Sequence, residues 1–234
     1  MTATTPQRKR TGKLSEPPVE ASPTVLLMVD FINPLSFDGA EQLAPCALRA
    51  AAATARLRRE LAARSKRMPL CIYANDNYGV WRSDFKALWL RCSRMPGEAG
   101  RMARILKPKP GDCTLLKPRH SAFYETPLDI LLRQVRCKRL IVTGLAADSC
   151  VLFTAMDAYV RGYELWVPSD CVASETAEAA SYALGHMERV LKAAVSPAFQ
   201  PQARAAPGAD RPPTRARPAR AAQARRAAAR PGAA

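Results

Sequence analysis

Short apolar runs alternate along the chain with longer segments in which apolar residues recur every three or four positions. The short runs have no alternation of polar and apolar residues, which is typical of strands covered on both faces of a parallel sheet. The predicted strands lie at residues 24–30, 68–76, 113–117, 139–144 and 163–170, with a weak last strand at 193–196. The pattern predicts a three-layer α/β/α fold around a mainly parallel sheet.

The segments between these strands have the spacing of amphipathic helices. The clearest start signal is in TPLDILLRQV, where Thr126 can cap a helix whose first residue is Pro127. Gly162 is placed to end the helix that begins at Ser149. The predicted helices lie at residues 46–65, 85–91, 98–106, 126–135, 149–162 and 175–191.

Most of the excess positive charge lies outside the predicted strands and helices. The 234 residues have a formal net charge of +16, and more than half of it lies in residues 1–22 and 199–234. From residue 201 onward there are eight arginines, six prolines and no apolar residue larger than alanine. Such a composition buries too little surface to offset the entropy of ordering. We therefore predict two disordered segments, 1–22 and 199–234, around one domain at 23–198.

The arginine-rich tail has two interpretations. Its side chains suit contacts with the phosphates of nucleic acid or of a membrane surface, but no aromatic residue lies among them for base stacking. We therefore favour an extension without a nucleic-acid partner. No apolar stretch is long enough to span a membrane, no signal-peptide pattern follows the first basic residues, and the seven cysteines contain no CxxC pair. These features predict a cytoplasmic protein.

Residues that can carry chemistry follow three of the predicted strands. Asp30 ends the first strand, Lys117 ends the third, and Cys150 begins the helix after the fourth. The carboxyl ends of parallel strands meet at one edge, so these side chains are expected to converge. A helix N-terminus and an ammonium group both favour a thiolate, which predicts a Cys150 pKa below about 8.5. Each residue alone also fits a structural role: a cap, a solvated charge and a buried apolar side chain.

Three segments carry a family resemblance: VDFINPLSFDG around Asp30, LLKPRHSAFYETPLDILL around Lys117 and VTGLAADSCVLFTAMDAYVRGY around Cys150. Over residues 24–196 the chain resembles the isochorismatase-like cysteine hydrolases, which include nicotinamidase, N-carbamoylsarcosine amidase and ureidoacrylate amidohydrolase. The resemblance implies that Cys150 is the nucleophile, that Asp30 is the general base and acid, and that Lys117 lowers the thiol pKa.

The resemblance also implies details around the nucleophile. A non-proline cis peptide bond is expected between Leu145 and Ala146. The backbone N–H groups of Ala146 and Cys150 would then form an oxyanion hole, whose loss typically costs about 100-fold or more in rate. Homo-oligomers are common in the family, so a homo-oligomer is expected. The helix that carries the nucleophile could be capped by the side chain of Asp148.

The chain departs from nicotinamidases at the stretch ANDNYGVWRSDF. Those enzymes bind a divalent metal there through histidines, whereas this chain has only two histidines, His120 and His186. No metal or other cofactor is therefore expected, and His120 is interpreted as structural. Four residues near strand ends are candidates for the substrate pocket: Asp76, Trp81, Arg82 and Phe123.

These observations predict a cysteine hydrolase that cleaves a C–N bond of a small amide, ureido or carbamoyl compound through a thioester. The alternative is a catalytically silent protein of the same fold that binds or regulates, with a tail that engages polyanions. Retention of Asp30, Lys117 and Cys150 favours the enzyme, because a silent descendant is free to lose them.

Overall fold

A computed structural model describes residues 19–65 and 68–199, which build a parallel sheet between two layers of helices. The strands run in the order β3-β2-β1-β4-β5, and β6 pairs with β4 beyond the end of β5. All pairs are parallel, so the predicted fold class is confirmed. The strands are β1 (Thr24–Val29), β2 (Leu70–Asp76), β3 (Cys113–Lys117), β4 (Arg139–Leu145), β5 (Glu164–Trp166) and β6 (Val172–Ala173).

Each face of the sheet has its own apolar core. Residues of β1 alternate between the two: Val25 and Leu27 pack toward one helical layer, and Leu26 and Met28 pack toward the other. The first layer contains α4 (Leu128–Gln134), α5 (Leu152–Val160) and α6 (Ala177–Leu191), and the second contains α1 (Ala40–Arg64), α2 (Phe85–Ser93) and α3 (Gly97–Ile105).

Among the described residues, no helix is long and apolar enough to cross a membrane.

Helix α1 starts six residues before its predicted start at residue 46. Proline donates no hydrogen bond inside a helix and is therefore uncommon in a helix interior. In the structure Pro45 lies inside α1, and Ala40, Leu43 and Ala47 are all buried. These three residues continue the helical spacing of the buried face, so packing against the sheet outweighs the local preference of the proline.

Strand β5 is shorter than the predicted strand at 163–170, since it ends at Trp166. Pro168 cannot donate to a strand ladder, and a 3₁₀ turn at Ser169–Cys171 follows it. The chain then returns to the sheet as β6. The weak last strand predicted at 193–196 is reduced to one bridge between Trp166 and Ala194.

Helix α4 begins one residue later than the capping signal suggested. Leu128 is its first residue and Pro127 occupies the cap position. The hydroxyl of Thr126 still accepts a hydrogen bond from the Leu128 N–H, at 3.2 Å. The local signal was therefore recognised correctly, although its position was off by one residue.

The ordered contacts extend slightly past the predicted domain limits of 23–198. Ser22 is buried, and its hydroxyl accepts the N–H of Leu70 at 2.9 Å. At the other end, the N–H of Phe199 donates to Asp170 at 3.1 Å. Asp170, the last residue of the strand predicted at 163–170, thus anchors this C-terminal segment. The remaining parts of the predicted disordered segments, residues 1–18 and 200–234, lie outside the described residues.

Candidate active site

The three residues predicted to be catalytic meet at the carboxyl edge of the sheet. The Lys117 ammonium lies 2.8 Å from an Asp30 carboxylate oxygen and 3.4 Å from the Cys150 sulfur. The Lys117 side chain is fully buried and that of Asp30 is 6% exposed. A cation, a carboxylate and a thiol therefore form one compact cluster with little access to water.

Asp30 is held in place by the neighbouring strand. It directly follows β1 with a left-handed backbone conformation (φ 52°), and its N–H donates to the carbonyl of Ala74 at 3.0 Å. One carboxylate oxygen accepts the Asp76 N–H at 2.7 Å. The other oxygen remains directed at Lys117. Backbone bonds from β2 thus fix the carboxylate while leaving it one reactive oxygen.

Lys117 is the last residue of β3, and its ammonium has further partners besides Asp30 and Cys150. It donates to the carbonyl of Arg119 at 3.2 Å, and a carboxylate oxygen of Asp76 lies 3.8 Å away. A buried ammonium needs such partners because removal from water is costly. The partners hold the charge at a fixed point beside the sulfur.

The nucleophile candidate lies on a π-helical turn, Ala147–Val151, between β4 and α5. A cis peptide bond joins Leu145 to Ala146, as the resemblance implied. The carbonyl of Ala146 then accepts the N–H groups of both neighbours of Cys150, at 3.1 Å each. These contacts fix the segment that carries both expected oxyanion-hole donors.

Two further residues shape this segment. A side chain at Gly144 would collide with the carbonyl of Val29, so the end of β4 approaches β1 only because residue 144 is glycine. Asp148 does not cap the turn as expected. Its carboxylate accepts the Ser174 hydroxyl at 2.5 Å and thereby ties the turn to the segment after β6.

The pKa of the Cys150 thiol is shifted in the direction opposite to the expected one. The pKa of Cys150 is raised to about 12, mainly by burial and then by the negative charge of Asp30, while the Lys117 ammonium opposes both. The prediction of a lowered pKa was wrong because Lys117 is already neutralised by Asp30 and because the sulfur is largely buried. The resting thiol is therefore protonated at neutral pH.

Burial also raises the pKa of the Asp30 carboxyl, against the opposing effect of Lys117. A carboxylate with a raised pKa is a stronger proton acceptor. If the proton moves from Cys150 to Asp30 while Lys117 stays charged, the net charge of the cluster remains zero. The arrangement can thus form a thiolate at the moment of attack without burying an extra charge.

His120 also lies beside the sulfur, although the sequence interpretation left it out of the catalytic set as a structural residue. Its Nδ1 is 3.7 Å from the Cys150 sulfur and 3.4 Å from the Ser149 hydroxyl. Its ring contacts Phe153 with 5.4 Å between centroids. The available signal was its place three residues after the end of β3, in the loop that borders the expected site.

A cleft of about 910 Å³ is lined by Asp76, whose carboxylate lies 3.8 Å from the Lys117 ammonium. Trp81, Arg119 and Tyr124 also line this cleft, and the Trp81 side chain is 79% exposed. The structure therefore places two of the four predicted pocket residues, Asp76 and Trp81, along one open cleft.

The other two predicted pocket residues lie elsewhere. Phe123 is only 5% exposed and packs in the core, where its ring stacks on Tyr163 at 6.1 Å. Its neighbour Tyr124 occupies the cleft instead, because consecutive residues of this loop point to different sides. Arg82 is exposed and is not among the residues that line the cleft.

The side chains at the site do not form a suitable set of metal ligands. Within residues 19–65 and 68–199, no group of three or more His, Cys, Asp or Glu side chains is arranged to hold a metal ion. The side chains at the site are Asp30, Asp76, Lys117, His120 and Cys150, and the Lys117 ammonium occupies the space between the carboxylates. No chemical step is therefore derived through a metal.

Comparison with known proteins places the chain in a family. Residues 24–198 match the model of the isochorismatase domain. The chain belongs to the isochorismatase family. It is 40% identical over 171 residues to the uncharacterized isochorismatase family protein YaaI of Bacillus subtilis, an alignment that covers 73% of this chain and 92% of YaaI.

More distant relatives have named activities. Ureidoacrylate amidohydrolase RutB of Methylorubrum extorquens is 50% identical over 58 residues, which is 25% of this chain and 23% of RutB. The N-carbamoylsarcosine amidase of Thermoplasma acidophilum is 25% identical with a TM-score of 0.57, covering 76% of this chain and 98% of that structure. The nicotinamidase of Staphylococcus aureus, at 23% identity and a TM-score of 0.57 over 75% of this chain and 98% of its own, shares the fold.

Proposed function

We propose that this isochorismatase-family protein is a cysteine hydrolase that cleaves a C–N bond in a small amide, ureido or carbamoyl compound. The observation that carries the proposal is the position of the Lys117 ammonium, 2.8 Å from Asp30 and 3.4 Å from the Cys150 sulfur. The Asp30–Lys117 ion pair does not require a thiol beside it for stability. The arrangement does suit a thiol that must lose its proton during a reaction.

The first half-reaction forms a thioester. The Cys150 sulfur attacks the carbonyl carbon, and its proton passes to the Asp30 carboxylate. The N–H groups of Ala146 and Cys150 stabilise the negative oxygen of the tetrahedral intermediate. When the C–N bond breaks, Asp30 returns the proton to the departing nitrogen. Ammonia or an amine leaves, and the acyl group remains on Cys150.

The second half-reaction consumes water. A water molecule attacks the thioester carbon, the C–S bond breaks, and the carboxylic or carbamic acid product leaves. The protonated thiol is then restored. In total, one water adds across one C–N bond, and no oxidant, reductant or metal is needed.

The named relatives support a C–N bond as the target. RutB is an amidohydrolase and the Thermoplasma protein is an amidase by name, and both are similar to this chain in part or in fold. The cleft supports a small substrate, since its volume of about 910 Å³ lies within the range of small-molecule pockets. Its aromatic and charged lining suits a flat polar molecule.

The experiment that tests the proposal is ammonia release from a panel of primary amides, ureides and N-carbamoyl amino acids. Wild type is expected to turn over at least one class, and Cys150→Ala is expected to lose that turnover. Cys137→Ser is a matched control, because this thiol lies after α4 at the opposite edge of the sheet and donates to the Arg139 carbonyl, at 3.3 Å.

Two outcomes contradict the proposal. Turnover that survives in Cys150→Ala would remove the nucleophile from the mechanism. A folded wild type that releases no ammonia from the panel, and whose Cys150 forms no covalent adduct with an activated ester, would favour the catalytically silent binding protein instead.

A further inference from the structure

The Cys150 sulfur has two kinds of neighbour. Lys117 lies 3.4 Å away, with Asp30 beside it, and both of their side chains are almost fully buried. His120 lies 3.7 Å from the same sulfur and is exposed to solvent. The proton acceptor for the first half-reaction is therefore buried, whereas the imidazole beside the sulfur is accessible to water.

Nδ1 is the nitrogen of the His120 ring that lies near the sulfur. It is 3.7 Å from the Cys150 sulfur and 3.4 Å from the Ser149 hydroxyl. The ring packs against Phe153, which limits its rotation. In the tautomer with the ring proton on Nε2, Nδ1 is a proton acceptor held beside the sulfur.

The two half-reactions place different demands on this geometry. In the first, the proton starts on the sulfur and Asp30 is in contact with Lys117 beside it. In the second, the sulfur carries the acyl group and the proton starts on a water molecule that has to enter from solvent. Asp30 is 6% exposed, and its second oxygen is occupied by the Asp76 N–H. The exposed imidazole is the base that the entering water meets.

We propose that His120 is a catalytic residue that activates the water for thioester hydrolysis, an inference that rests on the proposed function. Nδ1 takes one proton from the water while its oxygen bonds to the thioester carbon. The C–S bond then breaks, and the Nδ1 proton passes to the thiolate across the 3.7 Å contact. His120 is neutral again, the thiol is protonated, and Asp30 is unchanged throughout this step.

The test separates the two half-reactions with p-nitrophenyl acetate as the probe. Attack by Cys150 releases p-nitrophenolate in a burst, and the following steady rate measures hydrolysis of the acetyl-thioester. In His120→Asn the amide replaces Nδ1 as a polar group but cannot carry a proton. We expect an unchanged burst amplitude and burst rate, a steady rate lower by about 100-fold, and acetylated Cys150 in the mass spectrum.

Chemical rescue distinguishes a proton-transfer role from a structural one. Free imidazole is expected to restore much of the steady rate in His120→Ala and to leave wild type nearly unaffected. His186→Asn is the matched control, since His186 lies on α6 and is the other histidine of the chain. It is expected to behave as wild type.

The outcomes that overturn this inference differ from those that overturn the proposed function. Equal steady rates in wild type and His120→Asn, or a loss confined to the burst rate, would remove His120 from the hydrolytic step. A slow steady rate without imidazole rescue would assign it a structural role. A burst that persists in Cys150→Ala would instead contradict the thioester mechanism itself.

Discussion

Strand β3 has a buried ion pair at each end, and the two pairs differ in what else they contact. Asp112 directly precedes the strand, and both of its oxygens accept from one nitrogen of Arg58, at 2.6 and 2.7 Å. Lys117 is the last residue of the strand and contacts Asp30 at 2.8 Å. The side chains of both pairs are almost inaccessible to water.

The Arg58–Asp112 pair is closed by further protein groups. The Lys109 N–H donates to Asp112 at 2.6 Å, and Arg58 donates to the Tyr73 hydroxyl at 3.1 Å. Arg58 also lies beside the buried thiol of Cys71, and burial raises the pKa of that thiol to about 11. The pair therefore fastens α1 to the segment before β3.

The Asp30–Lys117 pair differs because the thiol beside its cation is only half-buried and has an exposed imidazole next to it. The Cys150 proton can move to Asp30 without changing the charge of the cluster, and Asp76, which lies 3.8 Å from the Lys117 ammonium, lines a cleft. The comparison suggests that a buried ion pair serves chemistry when one of its contacts can lose a proton and is reachable from solvent. Substitutions at the two ends of β3 should then have opposite consequences.

The largest effect is expected for Lys117→Met. It removes the cation that stabilises both the ionised Asp30 and the developing thiolate, and loss of one member of a catalytic triad typically costs about 10⁴-fold or more in turnover. Arg58→Met, the same kind of substitution at the other end, is expected to change turnover less than about threefold. Steady-state rates on the substrate class found by the amide panel provide the measurement. Similar losses in both variants would contradict the division of roles.

The second effect concerns the free energy of unfolding, for which Arg58→Met is expected to cost more than Lys117→Met. Arg58→Met leaves the Asp112 charge buried without its partner, which costs about 3–5 kcal/mol in the free energy of unfolding. Lys117→Met is expected to cost less, because burial already raises the pKa of Asp30 and a proton can neutralise it. Urea unfolding of both variants measures the difference. The double variant Arg58→Met/Asp112→Leu should recover part of the loss, and no recovery would mean that the pair is not the cause.

A third, smaller effect concerns the reactivity of the thiol. Burial and the charge of Asp30 raise the pKa of Cys150, while Lys117 lowers it. In Asp30→Asn the negative charge is gone and Lys117 is no longer neutralised, so the thiol pKa should fall by about one unit, or about 1.4 kcal/mol. Iodoacetamide alkylation of Cys150 at pH 8, resolved by mass spectrometry, should be about tenfold faster than in wild type.

The same measurement gives a pH profile for wild type. Because the pKa of Cys150 lies near 12, its alkylation rate should still rise between pH 8 and 10. A plateau below pH 8 would show a thiolate at rest, and slower alkylation in Asp30→Asn would show that Asp30 does not oppose ionisation. Either result would contradict the assignment of Asp30 as the acceptor of the thiol proton.

The fold and the convergence of three residues could be predicted because both depend on local pattern. A strand that is apolar on both faces is visible in a single segment, and Asp30 and Lys117 stand at the ends of such segments. The parallel arrangement then brings these ends together without any knowledge of distant contacts. The family resemblance added the prediction of Cys150 as the nucleophile and of the cis peptide bond between Leu145 and Ala146, which the structure contains.

Other features depend on pairs of residues that no local pattern connects. Arg58 and Asp112 are 54 positions apart, and neither differs in its own segment from a solvated charge. The sign of the Cys150 pKa shift depends on the burial of the sulfur and on its distances from two opposite charges. The proximity of His120 to the sulfur depends on how the loop after β3 turns. These quantities follow from packing rather than from sequence pattern.

The smallest expected effect is that of Tyr73→Phe, which loosens the closed ion pair without breaking it. The Tyr73 hydroxyl accepts from Arg58 at 3.1 Å and donates to the Leu106 carbonyl at 3.0 Å, so its removal leaves buried polar groups with fewer partners. The cost should be about 1 kcal/mol of unfolding free energy, measured in urea. The steady-state rate and the alkylation of Cys150 should not change, because the hydroxyl lies at the far end of β3 from the thiol. A change in either would mean that the two ends of the strand are coupled, and the distinction between a structural and a chemical ion pair would then fail.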